Sequence, residues 1–227
     1  MFLIASYPRS GNHLVRFCIE YVTGKPTLGH YRNPKDLPIH LNGFVDNPGI
    51  LSHVGGEPIG HKLHYIAELE RIREKYQIDG IVFIKRNMME AILAHTNKNK
   101  KGRKVRDLKR HISKYIELEN YYTDSGLPKV CINYDSLVSQ DADSYQSELD
   151  KLLQFLGPQV VSQHSEKLRS DFAALRQVNA NPTKRAWLGK RSQGSDYWRK
   201  NTAWHRCLLV KSLIWWKRHQ LITQQMK

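Results

Sequence analysis

Apolar positions along the chain fall into two alternating patterns. Short unbroken runs, Phe2-Leu3-Ile4-Ala5, Ile81-Val82-Phe83-Ile84 and Val130-Cys131-Ile132, have the length and β-branched content of strands buried on both faces, as in a parallel sheet. Between them the apolar residues recur at helical spacing. Residues 12–22 set Leu14, Phe17, Cys18, Tyr21 and Val22 on one stripe; 64–76 do so with Ile66, Leu69, Ile72 and Tyr76; 107–123 with Leu108, Ile112, Tyr115, Ile116 and Tyr122. Further helices are expected at 88–96 and at about 143–156, the latter stopped by Gly157-Pro158. Strands that alternate with helices over most of the length predict a single-domain, three-layer α/β sandwich with a mainly parallel sheet, spanning 1–227. Two segments stand outside this rhythm. Residues 24–58, rich in Gly, Pro, Asn and His, read as a long irregular surface excursion of the kind that carries function. Residues 203–227 read as a basic C-terminal helix bearing Trp204, Leu208, Leu209, Leu213, Trp215 and Trp216.

Charge changes the picture because it is concentrated. The chain of 227 residues carries 36 Lys and Arg against 21 Asp and Glu, a net +15. Residues 98–110 hold eight basic residues and one acid, and 184–227 hold eleven and one, so the remainder is close to neutral. Two basic segments on a near-neutral body predict anionic partners at particular places, or simply solvated positive faces. Basic residues without interleaved aromatics in 98–110 argue against a base-stacking platform for nucleic acid. For the C-terminal helix the roles left open are packing on the domain, lying on an anionic membrane surface, or meeting a partner. Cys18, Cys131 and Cys207 are odd in number and far apart, which excludes a disulfide framework and a thiolate zinc site. With no secretory signal pattern at Met1 and no apolar tract of about 20 residues, the sequence predicts a soluble cytoplasmic protein.

The candidate chemistry starts after the first strand. Tyr7-Pro8-Arg9-Ser10-Gly11 leads from a strand into a helix, and such a junction presents free backbone N–H groups and the positive helix end to an anion. Arg9 adds a guanidinium fork and Ser10 a hydroxyl donor, while Gly11 permits close approach. The segment lacks the Gly-Lys-[Ser/Thr] of nucleoside-triphosphatase loops, which disfavours a nucleotide kinase or ATPase.

Several segments, taken in order, resemble the sulfotransferases that use 3′-phosphoadenosine 5′-phosphosulfate. Tyr7-Pro8-Arg9-Ser10-Gly11-Asn12-His13 is similar to that family's 5′-phosphosulfate loop, and Ile84-Lys85-Arg86-Asn87 to its 3′-phosphate motif. Ile132-Asn133-Tyr134-Asp135-Ser136-Leu137 is similar to a third family segment. Lys190-Arg191-Ser192-Gln193-Gly194 loosely resembles the loop that closes over the 3′-phosphate. The likeness runs from residue 7 to about 200. It departs at Ala94, where the family has Ser, and at Ser192, where it has Gly; His95, Thr96 or the basic cluster are candidates to compensate.

The resemblance implies a nucleotide-kinase-like P-loop architecture and sulfuryl transfer from 3′-phosphoadenosine 5′-phosphosulfate to a hydroxyl or amine. In that reading Arg9, Ser10, Gly11, Asn12 and His13 hold the 5′-phosphosulfate, and Arg86 with Arg191 binds the 3′-phosphate. Gly60-His61-Lys62-Leu63-His64 is similar to the family's Lys-x-His, which implies His64 as base and Lys62 as the cation that contacts the cofactor and stabilises the leaving oxygen. An imidazole titrates near neutrality and suits that task. His64 as a mere helix-start or core histidine remains an alternative, as do His61 or Glu57 as the base. No carboxylate or Cys stands at a metal-ligand spacing from the histidines, so no metal is expected. A noncatalytic protein of the same fold that binds an anionic polymer is the competing function. The acceptor and the oligomeric state are not legible, although the basic balance favours a glycan or other anionic acceptor.

Overall fold

The computed structural model describes residues 1–29, 38–41, 47–98, 105–157, 164–178 and 204–225. Five strands form one all-parallel sheet: β1 (Phe2–Ser6), β2 (Thr27–Leu28), β3 (Gly60–Leu63), β4 (Gly80–Lys85) and β5 (Lys129–Asn133), in the order β2-β3-β1-β4-β5. Helices cover both faces, which gives the three-layer α/β arrangement expected from the pattern. On one face lie α1 (Asn12–Thr23), α6 (Ala142–Leu156) and α7 (His164–Val178). On the other lie α2 (Leu69–Arg73), α3 (Met88–Lys98), α4 (Val105–Asp124) and, outside them, α8 (Trp204–Gln225). A short helix, α5 (Tyr134–Leu137), follows β5 directly.

The unbroken apolar run of β4 is explained by this sandwich. Val82 and Ile84 enter the core beneath α1 and α6, while Ile81 and Phe83 enter the opposite core beneath α3 and α4. β1 divides in the same way, with Ile4 on one side and Leu3 and Ala5 on the other. α1 begins at Gly11 and stops at Gly24, both in the left-handed region, and the Gly24 N–H closes the last turn on Glu20 O at 3.0 Å.

The structure departs from the sequence reading in four places. The excursion 24–58 contains an edge strand, β2, whose two residues are too few to register as a pattern. Residues Gly60–Leu63 are a strand between β2 and β1, not a loop before a helix. The helix expected over 64–76 reduces to a 3-10 turn (Ile66–Glu68) followed by α2. α7 was not anticipated, because its apolar positions Leu168, Phe172 and Leu175 are sparse among charged neighbours. No described helix is long and apolar enough to cross a membrane.

Connections from β1 cross to the α1 face, whereas those from its neighbours β3 and β4 cross to the opposite face. The chain therefore parts at the carboxyl end of β1, the position at which open parallel sheets leave a crevice for ligands. Replacing Ile84, 1% exposed between the two neighbouring strands, by Ala should cost about 2–5 kcal/mol in urea denaturation. Leu41→Ala, at a position 58% exposed, should stay within about 0.5 kcal/mol of the parent.

Candidate functional site

The loop that leaves β1 is a tight turn closed by Ser10 N–H donating to Tyr7 O at 3.2 Å. Pro8 stands second in it and Arg9 third, with φ +73°, the sign pattern of a type II turn. That third position normally takes Gly or Asn, so a β-carbon there costs on the order of 1–3 kcal/mol of backbone strain. The strain is offset by Arg86, buried at the end of β4, whose Nη1 donates to Arg9 O at 2.8 Å. Arg86 Nη2 also donates to Glu90 Oε2 at 3.3 Å, and its guanidinium lies 5.0 Å from the centre of the Tyr134 ring. A hydrogen bond to a charged donor contributes about 1.5–3 kcal/mol, enough to hold this turn.

Gly11 follows at φ +89°, and a β-carbon on it would overlap the ring of Tyr134, the first residue of α5. α1 has no side-chain cap and no acidic residue in its first turn, so its first N–H groups keep their positive end uncompensated. Ser10 Oγ is fully buried there with no hydrogen-bond partner among the described residues. Burial lowers the Arg9 guanidinium from its ordinary value; the Tyr134 hydroxyl opposes this and the neighbouring Arg86 adds to it. A buried hydroxyl without a partner among the described residues, an uncapped helix start and the Arg9 guanidinium, braced by Arg86, are groups chemically suited to a phosphate- or sulfate-sized anion, a candidate anion cradle. Asn12 acts behind it, its Nδ2 donating to Ile4 O at 3.2 Å and Ser6 Oγ at 3.1 Å. His13 lies half-buried in the same first turn.

His64 comes from the neighbouring strand. Its Nδ1 stands 2.6 Å from Ser6 O, which can only accept, so Nδ1 carries the proton and the lone pair resides on Nε2. The candidate base is therefore tethered one residue before the anion loop. Lys62, half-buried, pairs in register with Ile4 on the sheet face covered by α1. His61 is different. It is buried on the opposite face, its Nδ1 2.8 Å from Lys62 O and its ring beside Tyr76. Glu57 lies at the opposite end of the strands, just before β2 and β3 begin, because Gly55 N–H is bonded to Gly24 O at the end of α1 and Ile59 N–H to Pro26 O. The structure brings together Arg9, Ser10, Gly11, Asn12, His13, His64 and Arg86, sets Lys62 on the α1 face of the strand beside β1, and leaves His61 and Glu57 apart from them. Arg191 and Ser192 lie outside the described residues. Ala94 is buried within α3, and Thr96 is buried with its Oγ1 donating back to Leu93 O at 3.3 Å.

Sequence reasoning missed the residues that brace this site. Tyr7 OH lies 2.8 Å from His111 Nδ1 of α4, and the His95 and His111 rings meet edge to face at 5.1 Å. Burial pushes the Tyr7 hydroxyl well above the usual phenol range. Tyr115 OH donates to Arg86 O, and Lys114 Nζ lies 4.1 Å above the ring of Tyr65, next to His64. These partners are up to 104 positions apart, so no local signal could pair them. On the other side Glu20 accepts from Thr27 N–H at 2.8 Å and Ile39 N–H at 3.0 Å, while Arg16 donates to Thr27 O at 2.7 Å. That buried knot ties the excursion to α1.

Among the described residues no group of three or more His, Cys, Asp or Glu could hold a metal ion. No protein-family model and no curated protein matches this chain.

Two substitutions separate strain from function. Gly11→Ala should destabilise by about 2–4 kcal/mol in urea denaturation, through the left-handed backbone and the clash with Tyr134. Arg9→Gly should leave stability unchanged or raise it by about 1 kcal/mol, while weakening anion binding.

Proposed function

We propose that the chain is a sulfotransferase that moves a sulfuryl group from 3′-phosphoadenosine 5′-phosphosulfate to a hydroxyl or amine of an acceptor. One observation carries the reading: a strained anion-binding turn at the crevice of the sheet stands beside a histidine whose tautomer leaves Nε2 as a base. The strand order 2-3-1-4-5 and the motif at Tyr7–His13 support a nucleotide-kinase-like architecture and the sulfotransferase resemblance.

In this mechanism the bound donor supplies a sulfur–oxygen bond whose cleavage releases adenosine 3′,5′-bisphosphate. His64 Nε2 takes the acceptor's proton as the acceptor oxygen or nitrogen bonds to sulfur, and Nδ1–H stays anchored on Ser6 O. The bridging oxygen departs with the electron pair of its bond to sulfur. Arg9, Lys62, the Ser10 hydroxyl and the first N–H groups of α1 stabilise that charge. Ser10 Oγ, buried and unpartnered among the described atoms, fits such a group without rearrangement.

A second reading draws on Arg86. Its guanidinium already serves Arg9 O and Glu90, and position 94 offers no hydroxyl. A noncatalytic binder of phosphate groups would need no 3′-phosphate contact. Titration calorimetry with adenosine 3′,5′-bisphosphate, against 5′-AMP, separates the two. The transferase should bind the bisphosphate selectively; equal binding, or none, would give the lead to the noncatalytic reading. His64→Ala should retain bisphosphate binding but reduce donor turnover by about 10²–10⁴-fold, the usual contribution of a general base.

A further inference from the structure

The C-terminal helix is apolar on two sides, and the fold uses one. Val210 is fully buried and Leu209, Leu213 and Ile214 pack partly against α3 and α4. At 100° per residue, Leu208, Ser212, Trp215 and His219 form a stripe on the opposite side, flanked by Lys211 and Trp216. Leu208 is 42% exposed, Trp215 62% and Trp216 40%. Trp215 leans on His219 at 4.1 Å between ring centres, and Lys211, Ser212, Trp215 and Trp216 line a shallow open groove.

Charge identifies what covers this stripe. α8 has no Asp or Glu in its 22 residues and includes Arg206, Lys211, Lys217 and Arg218. From α4, Lys109 places its Nζ 4.4 Å over the Trp216 ring, and Glu119 is engaged by Arg218 at 3.5 Å. The start of α4 adds exposed Val105, Arg106 and Arg110. A second copy on a two-fold axis would set Lys211 and Lys109 against their own kind. Indoles among lysines, with no carboxylate on the helix, match the boundary of an anionic bilayer, where Trp sits at headgroup depth and Lys meets lipid phosphate.

We infer that the exposed face of α8 docks the protein on anionic membrane surfaces. The helix lies in the interfacial plane, and the anion cradle at the far end of β1 takes no part. The test uses the full chain with vesicles of phosphatidylcholine alone or with about one-third phosphatidylserine. Cosedimentation should be selective for the anionic vesicles, with a blue shift of tryptophan emission. Lys211→Glu should weaken it at least about fivefold, and Trp215→Ser should abolish the shift, at unchanged melting temperature because Trp215 supports no core contact. Three results would overturn the inference: equal binding to both vesicle types, vesicle binding insensitive to Trp215→Ser, or Trp215-dependent self-association or glycan retention without vesicle binding. None of these readouts depends on nucleotide binding, so the sulfotransferase reading can fail while this one stands.

Discussion

The contact on which the site depends is the hydrogen bond from Arg86 to the carbonyl of Arg9. It joins the end of β4 to a turn that a non-glycine residue adopts only under strain. Arg86 is held in turn by Glu90 one helical turn away, by the face of Tyr134, and through its own backbone by Tyr115. Tyr134 then limits residue 11 to glycine. The anion cradle is thus the visible end of a buried arrangement that draws on β1, β4, α3, α4 and α5. Its donors are fixed before any ligand arrives, which lowers the ordering cost of binding.

The same logic gives the two flanks of the crevice different characters. On the α4 side, Tyr7, His95, His111 and Tyr115 make an aromatic and imidazole wall with few alternative packings. On the α1 side, the knot of Arg16, Glu20 and Thr27 anchors the near part of the excursion through backbone N–H groups, with His40 Nδ1 3.3 Å from Glu20 Oε2. Arg16 and Glu20 are both buried and both hydrogen-bonded to Thr27, so removing either leaves buried polar groups of Thr27 unsatisfied, at about 1–3 kcal/mol.

Much of the architecture was legible in the sequence because its signals are local. A strand buried on both faces needs an unbroken apolar run, and an amphipathic helix needs apolar residues every three or four positions; β1, β4, α1, α4 and α6 follow those rules. The anion turn was legible for the same reason, since Pro8, Arg9, Ser10 and Gly11 are contiguous. β2 and β3 were not. Each is short, and each becomes a strand only through pairing: β3 on the open edge of β1, and β2 on the edge that β3 then offers.

By itself the sequence determined the alternation of strands and helices, the place of the tight turn between β1 and α1, and the concentration of positive charge in two segments. Only the tertiary structure decided which histidine faces the loop. His61 and His64 are three positions apart, yet the parallel pairing of β3 with β1 buries the first beside Tyr76 and sets the second against Ser6 O. It decided equally that Glu57 lies at the opposite end of the strands from the loop and that Arg86 braces Arg9. In α8, Val210 is buried while Trp215 is left outside. Helix periodicity records how many apolar residues a segment has, but which of them meet the core depends on partners distant in sequence.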